Sequence, residues 1–167
     1  MARIIDQNIT TYWWVAAADI TNTAAISAAK LTAAVNISEY VVSTTNVGAT
    51  ASDTVSEKSI TDTANVVIPT IGNYEGTLVL FRDFTASVPS ANDVLTKITK
   101  VAGLTGWVVR RLGYTSTTAA ATGQIVSAFK FTTDTPQVSG GQSDGYLKAT
   151  IPLLQAGSFV TEVALVA

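Results

Sequence analysis

Catalysis and metal binding need side chains that ionise or ligate near neutral pH, and this chain is poor in them: 167 residues contain no histidine and no cysteine. The missing histidine removes the commonest general base together with the commonest metal ligand. The missing cysteine removes thiolate nucleophiles, zinc-thiolate sites and disulfides. Twelve carboxylates remain, scattered so that none forms a motif suited to glycoside hydrolysis. Residues 52–58, SDTVSEK, lack the ligand spacing of a calcium loop, and the glycines form neither a Walker loop nor a dinucleotide fingerprint. Trp13, Trp14 and Trp107 could line a sugar platform, but aromatics in apolar strands serve more often as core or interface. Arg110 and Arg111 are the one adjacent basic pair, and a net charge of −2 leaves no footprint for gripping phosphates. The expectation is a protein without cofactor, metal or catalysis, whose chemistry is that of its surfaces.

Those surfaces are unusual. Charged residues make up 13% of the chain and mean hydropathy is +0.34, which is apolar for a chain whose exterior must be wetted everywhere. Charge depletion marks interface cores, so much of the outside is expected to meet other copies. The opening MARIIDQNITTYWW has no apolar run behind a basic start and does not read as a secretory signal, which points to synthesis in the cytoplasm. No apolar run approaches the ~20 residues of a membrane-spanning helix, and no membrane role is expected. The length suits one domain over residues 1–167, able to bury roughly two-thirds of its unfolded surface; no internal repeat or linker is evident.

The elements that must shape these surfaces read as short strands: Thr, Val, Ile and aromatics recur between clusters of Gly, Asn, Asp, Ser and Pro, the pattern of mainly β structure. Candidate strands are Thr10–Val15, Ile37–Thr45, Ile60–Pro69, Gly76–Phe84, Trp107–Leu112, Gln124–Thr133, Tyr146–Leu153 and Phe159–Val166. The run TLVLF at 77–81 is apolar on both faces and predicts a central strand covered twice. Ser90 can cap an amphipathic helix carrying Val94, Leu95, Ile98, Val101 and Leu104 on one stripe, with Gly103 as its left-handed stop. The Ala-rich tract Ile26–Ala34 suits a further short turn. Asn46–Ser59, NVGATASDTVSEKS, holds almost nothing to anchor a core and predicts a long exposed loop; such loops are uncommon in compact domains and usually functional. Asp134–Asp144 reads as a second loop.

Taken in order, ISAAKLTAAVNISEYV (26–41), IGNYEGTLVLFRDF (71–84), the helix from Ser90 to Ala102, WVVRRLG (107–113), GQIVSAFKF (123–131) and YLKATIPLLQAGSF (146–159) resemble the major tail tube proteins of siphophages, particularly those infecting actinobacteria. The resemblance runs nearly end to end. It implies a two-sheet β-sandwich with one flanking α-helix and a long stacking loop, six copies closing into a ring, and rings stacking into a hollow tube for DNA ejection. Partners would be the chain itself and other tail proteins such as terminator, tape measure and distal tail protein, with DNA passing unbound. Ring closure would satisfy sheet edges that otherwise pair indiscriminately.

The family's stacking loop falls on Asn46–Ser59, which makes Asn46, Val47, Asp53, Thr54, Val55, Glu57 and Lys58 the assembly candidates; the composition alone equally suits a solvated loop. An exposed charge pair such as one formed by Glu57 or Lys58 contributes only ~0–1 kcal/mol, so shape and backbone pairing must dominate. By the family's layout the flanking strands would form a neutral to acidic channel wall, with Glu39, Ser43, Thr45, Thr61 and Thr63 as lumen candidates; the same positions suit the outward polar rows of an ordinary sheet. Rival virion roles are a tail terminator or a capsid decoration protein, which can share the fold. A Gram-positive pilus or adhesin sandwich is a more distant rival.

Overall fold

The computed structural model describes residues 9–57, 66–85, 88–98, 102–139 and 146–167. In chain order the elements are β1 (Thr10–Ala16), α1 (Ala28–Ala33), β2 (Val35–Asn36), β3 (Asn46–Thr50), β4 (Thr54–Glu57), β5 (Val66–Pro69), β6 (Asn73–Phe81), β7 (Phe84–Thr85), β8 (Val88–Pro89), α2 (Val94–Lys97), β9 (Thr105–Leu112), β10 (Ile125–Thr133), β11 (Gln137–Ser139) and β12 (Lys148–Ala164). The protein is mainly β. Its main sheet runs β2-β1-β9-β10-β12-β6-β3 with β11 beside β12, antiparallel throughout.

The two layers of the sandwich are the two halves of this one sheet, bent over a shared core. Trp14, Val108 and Phe129 form a cross-strand row on β1, β9 and β10. They pack in one cluster with Val47, Tyr74, Leu78 and Leu80 from β3 and β6. Arg110 on β9 donates from Nη1 to the Val47 carbonyl on β3 at 3.1 Å, although β10, β12 and β6 lie between those strands along the sheet. Gly106 permits the close approach beneath Trp14, since a Cβ there would sit 2.5 Å from the indole Cζ2. On the other face of β1, β9 and β10, the residues Trp13, Val15, Trp107, Val109, Val126 and Ala128 meet Ile26, Ala28 and Leu31 from the α1 region and Leu165. These three strands are therefore covered twice. Expected double cover of 77–81 is not found: Leu78 and Leu80 are buried while Thr77, Val79 and Phe81 are only half-buried.

Other expectations need correction. Ile37–Thr45 is not a strand but a corner that closes the bent sheet. The Ile37 amide donates to the Tyr12 carbonyl on β1, the Phe81 amide to the Tyr40 carbonyl, and the Val42 amide to the Val79 carbonyl on β6, so the corner ties one sheet border to the other. Tyr146–Leu153 and Phe159–Val166 are parts of one 17-residue strand, β12, whose register against β10 shifts twice. The Gln-Ala-Gly-Ser stretch, left outside both expected strands, forms a bulge, with Gly157 at φ 129°. Tyr74 fills it: its hydroxyl accepts the Ala156 amide and donates to the Lys130 carbonyl, two groups the shifted ladder leaves unpaired. The Ser90 helix shortens to α2, because Asp93 and not Ser90 is its N-cap. Ser90 Oγ instead accepts the Asn92 amide. Val94, Leu95 and Ile98 are buried as the stripe requires. Leu104 is exposed and, like Gly103 at φ 88°, lies beyond the helix, which ends at Lys97, so Gly103 is not its stop. Val101 lies outside the described residues.

Candidate functional site

Asn46–Ser59 is the segment singled out for assembly, and as far as Glu57 it consists of two strands rather than a loop. β3 pairs with β6 from Asn46↔Thr77 to Thr50↔Asn73, and β4 pairs with β5 from Thr54↔Pro69 to Glu57↔Val66. Between them the pairing continues irregularly: the Asp53 amide donates to the Ile71 carbonyl and the Thr70 amide to the Asp53 carbonyl. Asn73 Nδ2 donates to Asp53 Oδ1 at 2.9 Å and to the Ala51 carbonyl at 3.3 Å, locking the bend. A two-stranded ribbon results, rooted in the main sheet at β3 and β6 and extending from Thr50 to Glu57 over roughly 23 Å.

Only the root of this arm belongs to the core. Val47 is buried and packs among Tyr74 and Leu78, so its side chain faces inward. Asn46 is exposed, its Nδ2 donating to Glu75 Oε1 at 3.2 Å. Beyond Thr50 the described side chains are exposed on both strands, Val55 and Ile68 included, and these two sit opposite each other in register. Two-stranded ribbons without a third layer are marginal in water, and paired aliphatics on an uncovered ribbon ask for a partner. Thr54 lies exposed beside Val55; Lys58 lies outside the described residues, and Glu57 is placed by its backbone register alone.

Of the lumen candidates, Glu39, Ser43 and Thr45 occupy the corner. Glu39 and Ser43 are exposed. Thr45 is half-buried and tied to β6 twice, its Oγ1 donating to the Val79 carbonyl and accepting the Val79 amide, both at 3.0 Å. Ser43 and Thr45 border a shallow open pocket of ≈ 390 Å³ with Thr10, Tyr12, Ser38, Val41 and Val42. Thr61 and Thr63 lie outside the described residues.

Two charged side chains that sequence reasoning passed over are wholly buried. Asp93 accepts Arg82 Nε at 2.8 Å and the Asp83 amide at 2.9 Å. Burial pushes its pKa up, but the hydrogen bonds from Arg82 and Asp83 and the Arg82 charge outweigh this and hold the carboxyl below its ordinary value. Arg111 donates to five neutral oxygens: Ala119 and Thr115 and Thr118 carbonyls, Gln124 Oε1 and Thr11 Oγ1. Its guanidinium lies 4.9 Å from the ring centroids of both Trp13 and Tyr114, and burial lowers its pKa. It fixes the 113–124 connection between β9 and β10. Among the described residues no group of three carboxylates converges to hold a metal.

A bent β sheet with a projecting apolar ribbon is a form suited to a building block. The family model for phage tail tube proteins matches residues 1–167 of the chain. The chain belongs to the phage tail tube protein family. No curated protein matches it. Tail tube proteins are structural components of the virion tail, self-assembling alongside other tail proteins and not normally enzymes, and the arm of this tail tube protein is the part of the fold least able to stand alone.

Proposed function

We propose that copies of this chain close into hexameric rings that stack into a hollow tube, the conduit through which DNA leaves the particle. The whole of residues 1–167 acts as one tail tube domain, made in the host cytoplasm and finished only in the tail. The observation that carries this reading is the arm: a ribbon with Val55 and Ile68 paired and uncovered, on a chain of tail tube ancestry. Asn46, Asp53, Thr54, Val55, Glu57 and Lys58 form the contact to the neighbouring ring. Val47 anchors its root. Glu39, Ser43 and Thr45 on the corner, with Thr61 and Thr63, are assigned to the channel wall, where a neutral to acidic lining lets phosphates slide. Tube length is set elsewhere, since stacking does not close on itself; terminator, tape measure and distal tail protein are the partners this calls for.

Negative-stain microscopy of the purified chain over rising concentration tests the reading. Long hollow cylinders are expected. Assembly that halts at single rings would favour a terminator, and binding to capsids alone a decoration protein. A monomer at every concentration, missing from the proteins of purified virions, would overturn it.

A further inference from the structure

The bent sheet is open at one end, on the inner side of its last rungs. There Thr10 of β1 pairs with Leu112 of β9, Val126 pairs with Arg111 and so sets Ile125 of β10 beside Leu112, and Ile125 pairs with Ala164 of β12. One rung inward Arg110 faces Ser127, whose Oγ accepts the Glu162 amide at 3.3 Å. Arg110, Leu112, Ile125, Ser127 and Glu162 line a single groove of ≈ 300 Å³, which therefore crosses β9, β10 and β12 in that order. It is unfinished in two ways. Leu112 and Ile125 stand side by side at 54% and 49% exposure. The charges beside them are unmatched: Arg110 Nε is buried with no partner among the described residues, and Glu162 joins no ion pair among them. Glu162 is also the one non-glycine of the described residues at positive φ, 56°, a strained backbone of the kind that persists where a side chain is put to use.

The connection after β9 leaves this groove open. Gly113, at φ 89°, turns the chain to the other face, where the Tyr114 ring lies 4.9 Å from the Arg111 guanidinium. The segment that arrives at the groove is the one before β1, because the Ile9 carbonyl accepts the Gly113 and Tyr114 amides and so holds residue 9 next to Leu112. We propose that residues 1–8, MARIIDQN, cross the open end and seat in this groove, with Ile4 and Ile5 on Leu112 and Ile125, Asp6 toward Arg110 and Arg3 toward Glu162. The order of the groups favours this occupant. Counted back from Ile9, the segment offers an acid, two isoleucines and a base. Counted outward from β1, the groove offers a base and a leucine on β9, an isoleucine on β10 and an acid on β12. The opposite direction would set Arg3 against Arg110 and Asp6 against Glu162. Neighbouring strands are ~4.8 Å apart, which puts Glu162 about 14 Å from β1, and the six residues from Ile9 back to Arg3 reach ~20 Å. So short a tether holds the segment at millimolar effective concentration, ahead of a free partner. The contact is internal to one subunit and does not depend on the tail tube assignment.

Paired cysteines test it, since the chain has none of its own. In dilute full-length subunits, Ile4→Cys with Ile125→Cys is expected to close a disulfide within one chain about tenfold faster, or more, than Ile4→Cys with Thr117→Cys. Thr117 is exposed and lies four residues past Gly113 on the other face, within the same reach of Ile9. Adding Arg3→Glu to the first pair should slow closure several-fold, and adding Glu162→Arg to that should restore it. Ile125, Thr117 and Glu162 are all exposed, so these variants should keep the circular dichroism and thermal midpoint of the parent. Equal rates for the two cysteine pairs would overturn the seat, as would a charge reversal without effect. Disulfides that join two chains instead of closing within one would also overturn it, placing the segment on a neighbouring copy.

Discussion

Tyr74 joins two strands that the backbone alone would leave mismatched. Its ring packs edge-on against Phe131 at 5.0 Å, and burial pushes its pKa up against the smaller opposing pull of the Ala156 and Gly157 amides, so the hydroxyl remains a donor. Tyr74→Phe keeps the packing and orphans a buried amide and carbonyl, which costs about 1–3 kcal/mol; the urea midpoint measures it, and a loss of only a few tenths would show water taking over. Asp93 makes a different prediction. Its carboxyl sits below its ordinary value, so the stabilisation it gives is complete above the unfolded pKa of ~3.9 and disappears as pH falls through the folded value. Asp93→Asn is expected to cost about 3 kcal/mol at pH 7 by stranding the buried Arg82, and the gap to the parent should narrow below pH 4. An undiminished gap at pH 3 would rule this out. Neither residue was legible in the sequence. An aspartate after Asn92 reads as a helix-start carboxylate, and nothing local tells a tyrosine that its partner is a bulge 82 positions away. The Arg110-Arg111 pair concealed more: the sequence shows only two adjacent charges, yet Arg111 is 0% exposed.

At the level of elements, periodicity located strands with a buried face and failed where no face is buried. β1, β9 and β10 fall within a residue or two of expectation, because alternating or continuous apolar runs record burial directly. The first half of the arm has no such record: the small polar residues and lone valines of 46–57 look like a loop, and only pairing with a distant segment makes them strands. β5, by contrast, falls within the expected strand Ile60–Pro69, whose earlier part lies outside the described residues. Such a ribbon should open easily in the free chain. Hydrogen exchange is expected to show β4 and β5 amides unprotected in the isolated subunit beside slow β9 and β10, then slowed ~tenfold or more on assembly. Arm amides that are as protected in free subunits as in assemblies would mean that the ribbon needs no neighbour. The corner at 37–45 was misjudged for a related reason. Its apolar Ile37 and Val42 are buried, as a strand's would be, but they anchor a turn between two sheet borders. The Ala-rich tract, by contrast, does form a short helix, α1, with Ala28 and Leu31 inward.

For the molecule as a whole, the balance of surface and core explains why assembly is the function. The interior is complete in one chain, with both faces of β1, β9 and β10 covered and the bent sheet tied by Arg110 to Val47. What remains unfinished is outside: the arm holds Val55, Val67 and Ile68, aliphatic side chains that a solitary protein has little reason to expose. The amino-acid sequence alone determined the composition, since the absence of histidine and cysteine and the scarcity of charge need no geometry. It also settled the β character and most core strands, because burial writes itself into local alternation. Tertiary structure alone decided that the two layers are one sheet, that 37–45 is its seam, and that the polar segment after Asn46 is a ribbon. Those depend on which distant backbone groups pair, and a hydrogen bond between residues far apart in the chain leaves no mark on either residue's neighbours.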